Sequence, residues 1–332
     1  MNPRGYSIIA GIDEAGLGPI LGPMTIGYSA FSLDRPLSAD ALLATNLWDL
    51  TGSAIGRTPG ERKQRPVVCD SKKIYSPAKG LKPLEEEVLA WAISRGWPLT
   101  DFASFFSAAC PLSREKRERY EWYAGSHATF PLEVSRERAE LRAHAIARAL
   151  ETGGLNLTDF GVAPVFEGEL NKLIGQTDNK SRAEFEVIGR VLGELWRKHR
   201  RLAVVCDRQG GRERYARTLH GQFPEADVSV FVESPKISSY ELVVRGEADE
   251  PCMFIAFIEG GDIDHMPVAL ASMAAKYLRE TLMHLLNDWF AERQPGLART
   301  AGYYQDGQRF LSETAGLRRR LGLDDSLLIR AR

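Results

Sequence analysis

A chain of 332 residues, 44% of them hydrophobic, is long enough for one large domain or two modest ones, and its composition excludes a disordered or low-complexity protein. With 43 Lys+Arg against 44 Asp+Glu the net charge is -1, which excludes polyanion binding through global charge alone. No window approaches the roughly 20 apolar residues of a membrane span, and Cys69, Cys110, Cys206 and Cys252 form no C-x-x-C pair, so neither zinc nor a disulfide framework is indicated. A soluble, unexported chain in reducing cytoplasm is the expectation.

In chain order, "YSIIAGID" is a short apolar run, "EAGLGPILGP" is turn chemistry, and "MTIGYSAFSL" alternates like a half-buried strand. Together they predict a β-hairpin. Residues 38–66 read as a helix followed by a polar loop, and "VVCDSKK" is a brief apolar run with a basic end. Residues 81–95 have helical spacing at Leu84, Val88 and Trp91. From about 100 to 150 the composition shifts toward Arg, Glu, Ala and aromatics in helical patterns. That stretch is expected to be a helical insertion in a single α/β domain made of residues 1–99 and 151–332. A helix over 180–199 carries Phe185, Ile188, Val191, Leu192 and Leu195 on its apolar face and leads into "RLAVVCD", a strand stopping at Asp207. A short helix around 212–219, strands in "ADVSVFVES" and "SSYELVVRG", and the apolar run "CMFIAFIEGGD" follow, the last ending at Asp262. Pro267 then opens a long amphipathic helix with Leu278, Leu282, Leu285 and Trp289 on one face. Strands mixed with helices predict a mixed central β-sheet flanked by helices.

Asp13 with Glu14, Asp207 and Asp262 share one syntax, in that each closes an apolar run beside glycines. A single aspartate at a strand end is most often a turn former. Three strand ends and a tandem pair are harder to dismiss, because ends of neighbouring strands lie about 5 Å apart and would gather the carboxylates on one sheet edge. Such a cluster calls for a cation, and oxygen ligands without His or Cys suit Mg²⁺ or Mn²⁺. Two such ions serve in-line phosphoryl displacement.

The motifs around these acids carry a resemblance. "GIDEAGLGP" (11–19) resembles the signature G-[IV]-D-E-[AV]-G-R-G-P of type 2 ribonuclease H, the bacterial ribonuclease HII family. "DSKK" (70–73) is similar to that family's D-S-K-K segment, and "VVCD" to its third acid-bearing strand. "GGDIDHMPVALASMAAKYLRE" follows its K-G-D segment leading into A-A-S-I-x-A-K-x-x-R-D, with Asp262, Ser272 and Lys276 in register, and "TAGY" ends at Tyr303 like the family's H-K-G-Y. The resemblance implies an RNase H-like fold and a metal-dependent site of Asp13, Glu14, Asp207 and Asp262 holding Mg²⁺ or Mn²⁺. It also implies cleavage of the RNA strand of RNA/DNA hybrids or at ribonucleotides embedded in duplex DNA. Gly16, Leu17, Gly18, Lys72, Lys73, Ser272, Lys276 and Tyr303 are then the expected substrate contacts, nucleic acid being the partner.

The chain departs from the family in three places. Long stretches separate the motifs, marking a distant, enlarged relative. Leu17 stands where the family has arginine, so only the backbone N–H groups around Gly16 and Gly18 remain to cradle a phosphate. This leaves open a nuclease with another nucleic-acid substrate, or a silent nucleic-acid-binding protein. Glu280 stands where aspartate is usual and reads as a helix-surface charge, while Asp264 is the alternative to Asp262 as fourth ligand. Tyr120, Trp122 and Tyr123 could stack on bases, but as an aromatic group on a helix they are expected to pack inside.

Overall fold

β1 (Tyr6–Ala15) carries the first apolar run past the tandem acids before Gly16 turns the chain. In this computed structural model residues 5–113, 116–124, 129–246 and 249–331 are described. β2 (Met24–Leu37) returns antiparallel to β1 and β3 (Leu155–Val165) pairs antiparallel with β2, so the predicted hairpin is part of a three-stranded meander. β4 (Arg201–Asp207) lies parallel to β1, and β7 (Cys252–Ile258) parallel to β4. The hairpin of β5 (Asp227–Glu233) and β6 (Ile237–Val243) extends the far side, for a sheet order β3-β2-β1-β4-β7-β6-β5 among the described residues. The fold is therefore the expected mixed sheet flanked by helices.

Among the described residues seven longer helices cover it. α1 (Lys82–Ser94), α2 (Phe102–Ala109) and α3 (Arg136–Thr152) pack with α6 (Met266–Arg293) into the larger core on one face. α4 (Glu167–Thr177) and α5 (Lys180–His199) build the smaller core on the other, and α7 (Tyr304–Leu321) lies against α6 through Phe310 and Phe290. Tyr120, Trp122 and Tyr123, weighed as base-stacking residues, are buried in the larger core. No helix among the described residues is long and apolar enough to cross a membrane.

Two expectations are corrected. Residues 38–66 hold only short helices, Ala39–Ala44, Leu47–Leu50 and the 3₁₀ turn Pro59–Lys63. The run ending at Asp262 is a strand only to Ile258; Asp262 lies in a one-turn helix, Gly261–Asp264, entered through Gly260 at φ 68°.

The long α6 fixes what stands beside β1. A Cβ on Gly11 would lie 2.2 Å from the Pro267 carbonyl carbon and the Val268 nitrogen, so only glycine lets the helix start rest on the strand. Two hydroxyls of β2 then tie the helix down: Ser29 Oγ donates to the Pro267 carbonyl at 2.8 Å and Thr25 Oγ1 to the Ala275 carbonyl at 2.9 Å.

Candidate active site

Because β1, β4 and β7 run parallel, their carboxyl ends share one edge of the sheet, where open α/β sheets bind ligands. Register places Ile12 opposite Cys206 and Asp207 opposite Ile258, so Asp13 and Asp207 end adjacent strands. Alternation sends the tandem acids to opposite faces. Asp13 follows Ile9 and Gly11 toward α6, and Glu14 follows Ala10 and Ile12 toward α5. Asp13 Oδ1 accepts the Glu14 N–H at 2.8 Å, and Asp207 Oδ1 accepts the Gly261 N–H at 2.9 Å, which seats the one-turn helix carrying Asp262 against β4.

The four acids feel one another. Burial, then the charges of Glu14 and Asp207, push Asp13 well above the usual carboxylate range, opposed by a hydrogen bond from Ser272. Burial and Asp207 raise Glu14, and burial raises Asp207. Burial, then Asp70 and Asp207, lift Asp262 to about 6. Desolvation and like charge both disfavour the ionised forms, and Lys72 is the cation that favours the charged state of Glu14, Asp207 and Asp262. Among the described residues no three His, Cys, Asp or Glu side chains are grouped to hold a metal ion as they stand. The donor chemistry nevertheless fits a hard divalent cation: oxygen ligands only, with repulsion that a cation would relieve.

Two further carboxylates belong to this neighbourhood. Asp70 caps the one-turn helix Ser71–Ile74, accepting the Lys72 N–H at 2.8 Å, and lies close enough to Asp262 to raise its carboxyl. Its place at the end of "VVCD" is the same signal that marked the others. Glu184 on α5 is 1% exposed and raised by burial and by Glu14. Its signal was an acid on the stripe of Ile188, Val191 and Leu195. Asp264 points elsewhere, pairing with Arg57 at 3.5 Å while Arg57 stacks over Trp48.

The expected substrate contacts divide. Lys72 and Lys73 are exposed at the carboxylate edge, and Tyr303 is exposed beside Arg279, whose guanidinium lies 5.9 Å from its ring. Ser272 is buried, its Oγ donating to Ser71 Oγ at 3.0 Å, and it favours the charged form of Asp13. Lys276 is ion-paired to Glu280 at 2.9 Å and lies over the Tyr75 ring. Glu280 is not the surface charge its sequence suggests. It binds Lys276, Arg279 at 2.8 Å and the Tyr75 hydroxyl at 2.7 Å, and those partners hold it below the usual carboxylate range although burial alone would raise it. Gly16 (φ 83°) has a left-handed conformation, Gly18 faces open space, and Leu17 packs partly into the smaller core.

No family model matches the chain, and no curated protein matches it significantly. Among solved structures it is similar to a chain of the PCNA:RNase HII complex from Archaeoglobus fulgidus, with 14% identity and a TM-score of 0.41 over 98% of this chain and 94% of that one. It is similar to ribonuclease H2 from Pyrococcus horikoshii OT3 at 12% identity, TM-score 0.38, over 97% and 92% of the two chains. For Bst-RNase HIII in complex with Mn²⁺ the values are 11% and 0.43, over 98% of this chain and 67% of that one. The likeness to these ribonucleases is distant.

Proposed function

We propose that this protein is a metal-dependent endonuclease of ribonuclease HII type, cutting the RNA strand of RNA/DNA hybrids or embedded ribonucleotides in the cytoplasm. The observation that carries the proposal is that Asp13, Glu14 and Asp207 lie at the ends of adjacent parallel strands, with Asp262 on the one-turn helix seated against β4, each within the motif that resembles the family. These four residues would hold Mg²⁺ or Mn²⁺, which when bound activates the attacking water and stabilises the leaving oxygen.

The chain's own groups do the rest. Ser272, beside Asp13, favours its charged form. Lys72 and Lys73 stand where ammonium groups meet backbone phosphates without reading sequence. Tyr303 and the loop at Gly16–Gly18 lie on the same side, where contact to a 2′-hydroxyl would separate RNA from DNA. Leu17, half-packed against apolar neighbours, favours a second reading: the same chemistry on another nucleic acid, such as a DNA junction or structured RNA.

A cleavage panel of hybrid, embedded-ribonucleotide duplex, single-stranded RNA and DNA substrates, with Mg²⁺ and with Mn²⁺, tests both. Cutting of the first two with 3′-hydroxyl and 5′-phosphate ends is expected. Preference for a junction or structured RNA supports the second reading, and metal-independent cutting removes the mechanism.

A further inference from the structure

The loop that lacks its arginine at Leu17 has an arginine under it. Arg330, 3% exposed, donates through Nη1 to the Gly16 carbonyl at 2.6 Å and the Gly22 carbonyl at 3.4 Å, and through Nη2 to the Leu17 carbonyl at 3.0 Å. The backbone around it is tied to the same loop, since the Arg330 N–H donates to the Ile20 carbonyl at 2.9 Å and Ile329 bridges Leu21. Asn171 of α4 holds this strap from the other side, donating to the Ser326 and Ile329 carbonyls and accepting the Ala331 N–H. Glu167, fully buried, favours the charged guanidinium, yet no ion pair forms between them, and both terminal nitrogens of Arg330 are spent on loop carbonyls.

This fixes the direction of the loop amides. In a trans peptide the C=O and N–H point opposite ways. With the Gly16 and Leu17 carbonyls turned down onto Arg330, the N–H groups of Leu17 and Gly18 point away from it. Among the described residues neither N–H meets an acceptor, and the space beside Gly18 is open. We infer that Arg330 is a positioning residue: it holds the Gly16–Gly18 peptides so that the Leu17 and Gly18 N–H groups face a bound phosphodiester, with its buried charge behind them. The positive end of each fixed peptide then does the work that a side chain at position 17 does not, as in other backbone anion sites. The inference rests on the nuclease reading for its ligand, but not for its geometry.

The two are separable by experiment. Hydrogen–deuterium exchange of the full chain follows the loop without any substrate. Arg330→Ala is expected to raise exchange in a peptide spanning 16–22, where Ile20 and Leu21 N–H are now held by the Gly302 carbonyl, with Arg330→Lys intermediate. Binding of a labelled RNA/DNA hybrid, read by anisotropy, is expected to weaken about tenfold in Arg330→Ala and about threefold in Arg330→Lys, with Mn²⁺ affinity by calorimetry unchanged. Millimolar guanidinium should restore part of the Ala variant's affinity. Unchanged loop exchange in Arg330→Ala overturns the inference whatever the activity. Raised exchange with wild-type hybrid affinity confines Arg330 to a structural role and also overturns it. A wild-type chain that neither binds nor cuts nucleic acid, with exchange raised in the variant, overturns the nuclease reading and keeps the geometry.

Discussion

The chain buries two groups of carboxylates and treats them in opposite ways. On α1, Glu85, Glu86 and Glu87 are all but fully buried, and every one is answered. Glu85 accepts the N–H groups of Leu132, Glu133 and Val134 and the Tyr277 hydroxyl. Glu86 binds Arg62, Arg138 and Arg142, and Glu87 binds Arg62, Arg142 and the Val67 N–H. At the sheet edge, Asp13, Glu14, Asp207 and Asp262 lie near one another and near Asp70 and Glu184; Lys72 offsets Glu14, Asp207 and Asp262, and Arg212 and Lys180 offset Glu184. Three arginines make the first group a clasp between α1, α3 and residues 59–67. Like charges left facing one another make the second a place that a bound cation would stabilise.

Neutralising one acid in each group separates the two most sharply. At the edge, Asp13→Asn should lower cleavage about a thousandfold or more, in the range seen when a central catalytic group is removed. It should leave the metal-free melting temperature unchanged or higher, because one repelling charge is gone. Initial rates on the hybrid and a thermal melt in EDTA check both halves, and cleavage at wild-type rate would refute the assignment. In the clasp, Glu86→Gln should do the reverse. It breaks the ion pairs of a buried carboxylate with Arg62, Arg138 and Arg142, whose guanidinium groups keep some contact with solvent, and is expected to cost about 2 kcal/mol, read by urea unfolding, while cleavage per folded molecule stays the same.

This contrast shows where sequence was legible. The helix over 180–199 reads correctly to both ends because its apolar stripe is regular and Asn179 caps it, accepting the Arg182 N–H at 3.0 Å. The strand ends at Asp13 and Asp207 are equally clear, whereas Asp262 lies four residues past the end of its strand. β3 is not clear, since Asp159, Gly161 and Pro164 interrupt it; at the sheet edge such residues are tolerated, but they erase the pattern. The burial of Glu86 and Glu87 has no local signal, because their arginines come from positions 62, 138 and 142, which only the fold brings together. Arg330 has no local signal at all, its partners lying more than 300 residues away.

Acid should sharpen the contrast through a third, fully partnered carboxylate. Burial alone would raise Asp159, but hydrogen bonds from His199 and Lys198 outweigh it and hold the group at about 2. A depressed native value means that its stabilisation is complete above the unfolded value near 4 and is lost as pH falls toward 2. Asp159→Asn should therefore flatten the acid limb of the stability curve over that interval by up to about 2 kcal/mol, measured as urea midpoints from pH 5 to pH 2.

The smallest expected effect bears on the substrate. Leu17 sits between two N–H groups that face outward, on a loop already clamped by Arg330. Leu17→Arg adds a mobile cation at the rim without disturbing the carbonyls that Arg330 holds, at the cost of a partly buried apolar contact. If the loop receives a phosphate, the variant should lower KM for the hybrid about threefold to tenfold and steepen the salt dependence of binding by about one counterion, with kcat unchanged. If the chain acts on a different nucleic acid, the gain should be the same on every duplex offered, because a phosphate contact alone reads no sugar. A gain confined to ribonucleotide-containing strands would instead mean that the loop already lies at the 2′-hydroxyl, and that the missing side chain limits affinity rather than selectivity.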